Sequence, residues 1–547
     1  MAGWRTPIGL GWLSSPHWGC APYAHAAVPP PMKDPGRPAT SFWAVALVVA
    51  VAAFMEVLDL TIVNVSLLHI MGSMAISQNR AIWVLTAYTM TNAIILPLSG
   101  WLATTLGRKR YFMGCIGAFS VTSLLCGLSP NFPALVLFRA LQGIAGGGLQ
   151  PNAQAILTDA APAAKRGMAF AIYGMAVVFA PAIGPTVGGW ITDHIGWRWI
   201  FLINVPVGLL ILPLVQALVH DPESFVQARS ARRASAPRAD FVGFALITLG
   251  LGLMQVVLDR GQRDDWFSSL AIVTMTITVI LALAVFAIRE WRQADPIVDL
   301  RLLRDRGFAA ANILMFMLGA LLLGSTALLP LFMQSLLGYT AMDAGLVLSP
   351  GGLAIMALMP LVGQLVSRLD GRVLIAGGLC ISGFATLLMT HFDTHTGFMT
   401  LVWTRALQAA GLAFLFIPIN TLAFASLPGS KSSNASAIIN MSRNIGGSVG
   451  MSIAATVLAR RAQYHQSQLV ARITPYNPNL HTYLAAVQNA IGHVVPMAGF
   501  MHLYTTVLRQ SEMLAYIDDF ELMGILFFAC LPLVLLFRRV KPLPHGR

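Results

Sequence analysis

Long apolar runs, each ended by a short polar stretch, recur along almost the whole chain. An α-helix needs about 20 such residues to cross the roughly 30 Å hydrocarbon core of a bilayer. Fourteen runs meet that need, near 42–68, 81–103, 110–129, 133–157, 168–190, 198–219, 240–259, 267–289, 308–334, 344–366, 372–391, 398–426, 435–459 and 518–537. The pattern predicts an all-α polytopic membrane protein. Three segments fall outside it. Residues 1–40 are polar and Pro-rich and read as a disordered tail. That tail has no apolar core with a cleavage site, so no signal peptide is expected, and Met32 is an alternative start. Residues 220–239 form a basic linker. Residues 460–517, rich in Gln, Asn and His, read as a long loop, amphipathic and partly helical from Tyr483 to Tyr516.

The runs repeat. Arg139-Ala-Leu-Gln142 recurs as Arg405-Ala-Leu-Gln408, and the same offset carries Pro162 onto Pro428 and Lys165 onto Lys431. Spans one to six therefore correspond to spans nine to fourteen. The expected organisation is one six-helix half over 41–219 and two extra helices over 240–289. The second half follows, with five helices over 290–459 and the last helix and tail over 518–547. Six-span halves repeated in parallel build one large class of transporters.

Composition agrees. Of 547 residues, 56% are hydrophobic and only 10% charged, with mean hydropathy +0.70. A soluble domain carries roughly 25% charged residues. The net charge of +13 would suggest nucleic acid on a soluble chain, but its distribution assigns it to orientation. If the N-terminus is cytoplasmic, 24 Lys and Arg lie in inner segments, eight in outer segments and three within spans. Positive residues favour the cytoplasmic side, which puts both termini there. No basic soluble segment remains to hold nucleic acid. The five cysteines are scattered, without a CxxC pair, which excludes a disulfide framework and a thiolate zinc site.

Few groups can carry chemistry. Glu56 and Asp59 are the acids in the body of an apolar span, three residues apart and so on one helix face. An ionisable residue at membrane depth is costly and points to function. Asp59 lies about 13 Å from the outer end of span one, and Arg139 about 9 Å from that of span four. The two depths match, which pairs Arg139 with Asp59 or Glu56. A carboxyl whose protonation follows its distance from an arginine can couple proton movement to helix movement; a static ion pair is the alternative.

Gly143, Gly146, Gly147 and Gly148 allow close approach in span four. Gly184 and Gly188, with Pro185 and Gly189, give span five a small-residue face and a bend, a candidate rocking surface between the halves. Gly100 to Arg110 fills the loop between spans two and three. Gly107 sits at its turn, and Arg108 and Arg110 are a candidate latch onto helix ends. No nucleotide-binding loop or nucleophile–base set occurs, so neither ATP nor enzymatic chemistry is expected. His391, Asp393 and His395 read as a solvated loop rather than a metal site.

The stretch Leu58-Asp-Leu-Thr-Ile-Val-Asn-Val65 resembles the span-one signature of the fourteen-span drug:proton antiporters of the major facilitator superfamily. Gly100 to Arg110, Arg139 to Gly143 and Gly184 to Gly189 resemble its loop, span-four and span-five motifs. Leu258 to Gly261, Asp265 to Ser269, Pro296 to Leu300 and Tyr476 to Asn479 are similar to multidrug-export permeases within it. The second-half loop copy, Gly363 to Arg372, is degenerate, with Asp370 where the first has Gly107. Those permeases carry an uncharged amide at the position of Glu56.

The resemblance implies export of hydrophobic or amphiphilic compounds across a bacterial inner membrane, powered by the proton gradient without a cofactor. It implies Asp59 as proton carrier and Arg139 as its partner. It also implies a periplasmic adaptor, docked on 460–517, and an outer-membrane channel. Trp83, Tyr88, Asn92, Gln142, Met175, Phe179, Gln334 and Asn420 lie in spans whose counterparts line the cavity in that superfamily. A transporter of a specific metabolite or fatty acid is the alternative.

Overall fold

The computed structural model describes residues 41–537, except 82, 163–164, 223–224, 228–239, 294–295, 426, 428–430, 475 and 492–495. The expected N-terminal tail, most of the basic linker and the basic C-terminal tail lie outside the described residues. So do the surroundings of the Pro185 side chain. Every described element is helical.

A helix stands at each expected span. The first half holds α1 (Phe42–Met74), α2 (Trp83–Leu106), α3 (Arg108–Gly127), α4 (Phe132–Gly146), α5 (Leu149–Ala160), α6 (Arg166–His194) and α7 (Asn204–Leu218). Span four is thus broken at Gly147 and Gly148 into α4 and α5. An inserted hairpin follows, α8 (Phe241–Arg260) and α9 (Leu270–Arg292). The second half holds α10 (Arg306–Ser335), α11 (Ala341–Arg368), α12 (Gly371–Leu388), α13 (Phe398–Ala425), α14 (Ser432–Ala471), α15 (Pro478–Ile491) and α16 (Pro496–Ala529). Ten spans among the described residues are long and apolar enough to cross a membrane, and eleven if the bent α6 counts as one. α2, α3 and α14 are long enough but more polar. α3 opens on Arg108-Lys-Arg110, and α14 carries Ser, Asn and Arg along its length.

The repeat is visible in the packing. α1 packs on α6 as α10 packs on α14; α2 on α4 as α11 on α13; α3 on α7 as α12 on α16. Between the halves α6 meets α11 and α14 meets α2, the two contacts exchanging under the repeat. Gly167 and Gly363 make the first of these possible, since a Cβ on either would come within 3.0 Å of the other's carbonyl oxygen. The hairpin rests on α2 and α14. Leu209, Leu210, Ile280 and Leu281 are exposed on the outside, as a lipid-facing surface requires.

Two expectations fail here. Residues 460–517 are not one long loop: α14 runs on to Ala471, and the helical stretch expected from Tyr483 to Tyr516 falls in α15 and α16. Polar residues end a hydropathy run without ending a helix. With 40 residues, α14 is about 60 Å long, twice the bilayer core. Its outer part is tied to α16 by Arg461 and His465, both on Asp518. The second failure follows. Asp519 was expected at a span end, yet it lies inside α16, fully buried, with neither carboxylate oxygen hydrogen-bonded.

The hairpin is pinned at one end by Asp240. Its carboxylate accepts from Gly243 N as the N-cap of α8 and from Arg289 Nε and Nη2 of α9 at 2.9–3.2 Å. The Arg289 bond holds this carboxyl below its ordinary range. Its contribution to stability is therefore fully present above the ordinary carboxyl value of about 4 and is lost as pH falls below it toward the lowered folded-state value. Hydrogen exchange in the first turn of α8, corrected for intrinsic rate, is expected to quicken on acidification in the natural chain. It is expected to be fast and pH-independent in Asp240→Ala.

Candidate functional site

Two polar clusters occupy the apolar interior. The first lies wholly in the first half. Its frame is α1, which carries Asp59; α4, which carries Arg139 and Gln142 one turn apart; and α7, which begins at Asn204. Arg139 Nη1 donates to Asp59 Oδ2 at 2.6 Å and to Gln142 Oε1 at 2.8 Å. Its Nε donates to the Val84 carbonyl at 3.1 Å. Gln142 Nε2 and Asn204 Nδ2 donate to Asp59 Oδ1 at 3.2 and 2.8 Å. Asn204 is held in turn by Ser123. The guanidinium lies 4.4 Å from the Tyr88 ring centroid. Arg139 is 0% and Asp59 1% exposed, so water is excluded from the pair. Charged hydrogen bonds are strong in such a setting, and either partner left alone is costly.

The second cluster crosses between the halves. Glu56, one turn before Asp59, accepts from Asn92 Nδ2 of α2 at 3.2 Å, while its Oε2 has no hydrogen-bond partner. Gln150 of α5 and Arg443 of α14 stand beside it. Arg443 donates to Gln150, and Tyr173 donates to the same oxygen at 3.5 Å. Further toward the Arg108 end, Gln154 accepts from Asn440 and Ser436. The two acids thus face different partners: Asp59 a fixed cation in its own half, Glu56 a cation on the other half.

A third group joins the halves at one end. Arg108 forms an ion pair with Asp159 of α5, and donates to Ser433 at 2.6 Å and Ser432 at 2.8 Å, both at the start of α14. The Phe225 ring lies over it at 4.1 Å. Gly107 permits the turn with φ 99°, a region open to glycine at little cost. Gly100 sits against Asn434, where a Cβ would overlap that side chain.

The sequence-derived candidates sort accordingly. Asp59, Arg139 and Gln142 come together, and Glu56 joins Asn92. Arg110 is exposed, and Lys109 instead reaches a helix end, donating to the Gln216 carbonyl at 2.5 Å. Gly143 packs α4 onto Tyr88 and Thr91 of α2. Gly184 and Gly188 meet Thr61 and Ile62 of α1, inside one half; they are not a surface between halves. Gly189 is half-buried beside them, and α6 bends by 49° between Pro181 and Thr186.

Of the cavity candidates, Tyr88 and Gln142 are sealed into the Asp59 cluster. Asn420 is buried and bonds its own helix at the Phe416 carbonyl. Trp83 lies under Arg260 of the hairpin at 5.2 Å, and Gln334 is exposed near the end of α10. Asn92 is buried and bonded to Glu56, while Met175 and Phe179 are half-buried on α6. Asn204, Gln150 and Arg443 were missed as partners of the two acids. The two neutral amides give no spacing signal in apolar spans, and Arg443 has no acid at matching depth in its own half, so only the packing reveals all three. At Asp393 the carboxylate caps its own turn, accepting from His395 N and Thr396.

Comparison with known proteins follows the same lines. The family model of the Major Facilitator Superfamily matches residues 49–451. The chain is 34% identical over 518 residues to the fatty acid resistance protein FarB of Neisseria gonorrhoeae, covering 94% of this chain and 98% of that one. It is 35% identical over 434 residues to the multidrug export protein EmrB of Escherichia coli strain K12, covering 79% and 83%. Among solved structures, the human organic anion transporter MFSD10 superposes with a TM-score of 0.57 at 14% identity, over 90% of this chain and 100% of its own; that likeness concerns the fold.

Proposed function

The chain belongs to the Major Facilitator Superfamily, and we propose that it is a proton-driven antiporter that exports hydrophobic or amphiphilic drugs and toxic compounds. The observation that carries this reading is the sealed Asp59–Arg139 pair. A carboxyl there can be neutral or ionised only as its distance from one guanidinium changes. α1 and α4, which carry the two charges, belong to the half that rocks against the other. Proton uptake weakens the pair and releases α1 from α4; proton loss restores it. Relatives named for multidrug export and fatty acid resistance support an exported, largely apolar cargo.

The proton gradient supplies the energy, and no cofactor is invoked. The setting is a bacterial inner membrane with both termini inside, which places the Arg108 latch on the cytoplasmic face. α15 and the outer parts of α14 and α16 then project outward and offer an attachment for a periplasmic adaptor leading to an outer-membrane channel.

Proteoliposomes with an imposed pH gradient and a hydrophobic fluorescent dye test the reading. Dye is expected to move against its gradient only while protons flow the other way. Glu56→Gln, whose amide oxygen can still accept from Asn92, is expected to slow export less than tenfold and to keep it coupled. Dye that moves equally well without a proton gradient overturns antiport.

A further inference from the structure

The repeat has copied the Asp59 cluster incompletely. The offset that takes Arg139 to Arg405 and Gln142 to Gln408 takes Asp59 to Ser325. The copied geometry is otherwise kept. Arg405 Nη1 donates to Gln408 Oε1 at 2.5 Å, as Arg139 does to Gln142. The same Nη1 stands 3.5 Å from Ser325 Oγ, where its counterpart meets a carboxylate. Nη2 donates to Thr326 Oγ1 at 3.1 Å, and Nε has no acceptor. Gln408 is held by Thr386 of α12, and Gly351 of α11 packs on the arginine stem. The side chains bonded to Arg405 are all neutral, and no carboxylate among the described residues lies within ion-pair distance. A guanidinium at membrane depth without a counter-charge is costly. Exposure separates the two copies slightly: Arg139 is 0% exposed and Arg405 8%, so the second arginine is the less completely sealed of the two.

We propose that Arg405 binds the carboxylate headgroup of an amphiphilic substrate, whose charge takes the place vacated at Ser325. The fork of the guanidinium suits a carboxylate, and the surrounding spans suit an apolar tail. This deepens the export reading by naming a substrate class.

The test is equilibrium binding of dansyl-labelled undecanoate, and of its primary amide, to the full chain in nanodiscs. The natural chain is expected to prefer the carboxylate. Arg405→Gln is expected to weaken carboxylate binding at least tenfold, the scale of a charged hydrogen bond, and to leave the amide unchanged. Ser325→Asp, which restores the first-half pattern, is expected to do the same while keeping the arginine. Carboxylate and amide weakening alike, or undiminished carboxylate binding in Ser325→Asp, overturns the proposal. Binding lost only for the carboxylate in a chain that moves no dye against its gradient upholds this site and overturns export.

Discussion

Asp59→Asn is expected to abolish uphill export while leaving downhill flux. The amide keeps an oxygen for Gln142 and Asn204 and nearly the same shape, so the cluster should still assemble. It cannot take up or release a proton. One charge moved through 100 mV is worth about 2.3 kcal/mol, or roughly a fiftyfold concentration ratio per proton. That ratio should fall to about one. The change also leaves Arg139 as a lone buried charge, which costs about 3–5 kcal/mol. Thermal unfolding should therefore show a destabilised Asp59→Asn and a partly restored Asp59→Asn/Arg139→Gln, with neither regaining coupling. Dye held at the natural ratio by Asp59→Asn would move the proton site elsewhere, with Glu56 first in line.

Arg108→Ala carries the second large effect, on conformation rather than coupling. The side chain makes two hydrogen bonds that tie the first half to the start of α14, and its ion pair with Asp159 of α5 holds it in place within the first half. Losing two hydrogen bonds to a charged group, at about 1.5–3 kcal/mol each, shifts a two-state equilibrium by roughly two to four powers of ten. The latched arrangement should lose its dominance. Spin labels at Leu106 and Leu369, both exposed at this end, would report it as a shift to longer distances. An unchanged distribution in Arg108→Ala would show that the helix contacts alone hold this end closed.

Much of this was legible beforehand. The bilayer fixes how long an apolar run must be, so a helix could be placed at each expected run, although only ten or eleven of them are long and apolar enough to cross a membrane. The depth of Asp59 and Arg139 follows from helical rise, so their meeting could be anticipated. Other features needed the fold. Hydropathy stops at Arg460, whereas α14 continues, because backbone hydrogen bonds in water do not require apolar side chains. Asp519 was hidden by the same error at the start of the last span. The Gly184 face shows only that something packs closely there; that it is α1 is a matter of topology. The missing carboxylate at Ser325 is written in the repeat, but its meaning depends on Arg405 keeping the rest of the geometry.

The unbroken course of α14 has a mechanical consequence. One rod of 40 residues begins at Ser432 in the latch, passes Arg443 at mid-depth and ends at Ala471. It acts as a lever arm. A rotation of about 15°, of the size seen in other allosteric domain movements, would sweep its far end through roughly 15 Å. Release of a few bonds at one face of the membrane would thus be amplified into a stroke at the other, and any protein gripping that tip would feel the transporter's cycle as torque.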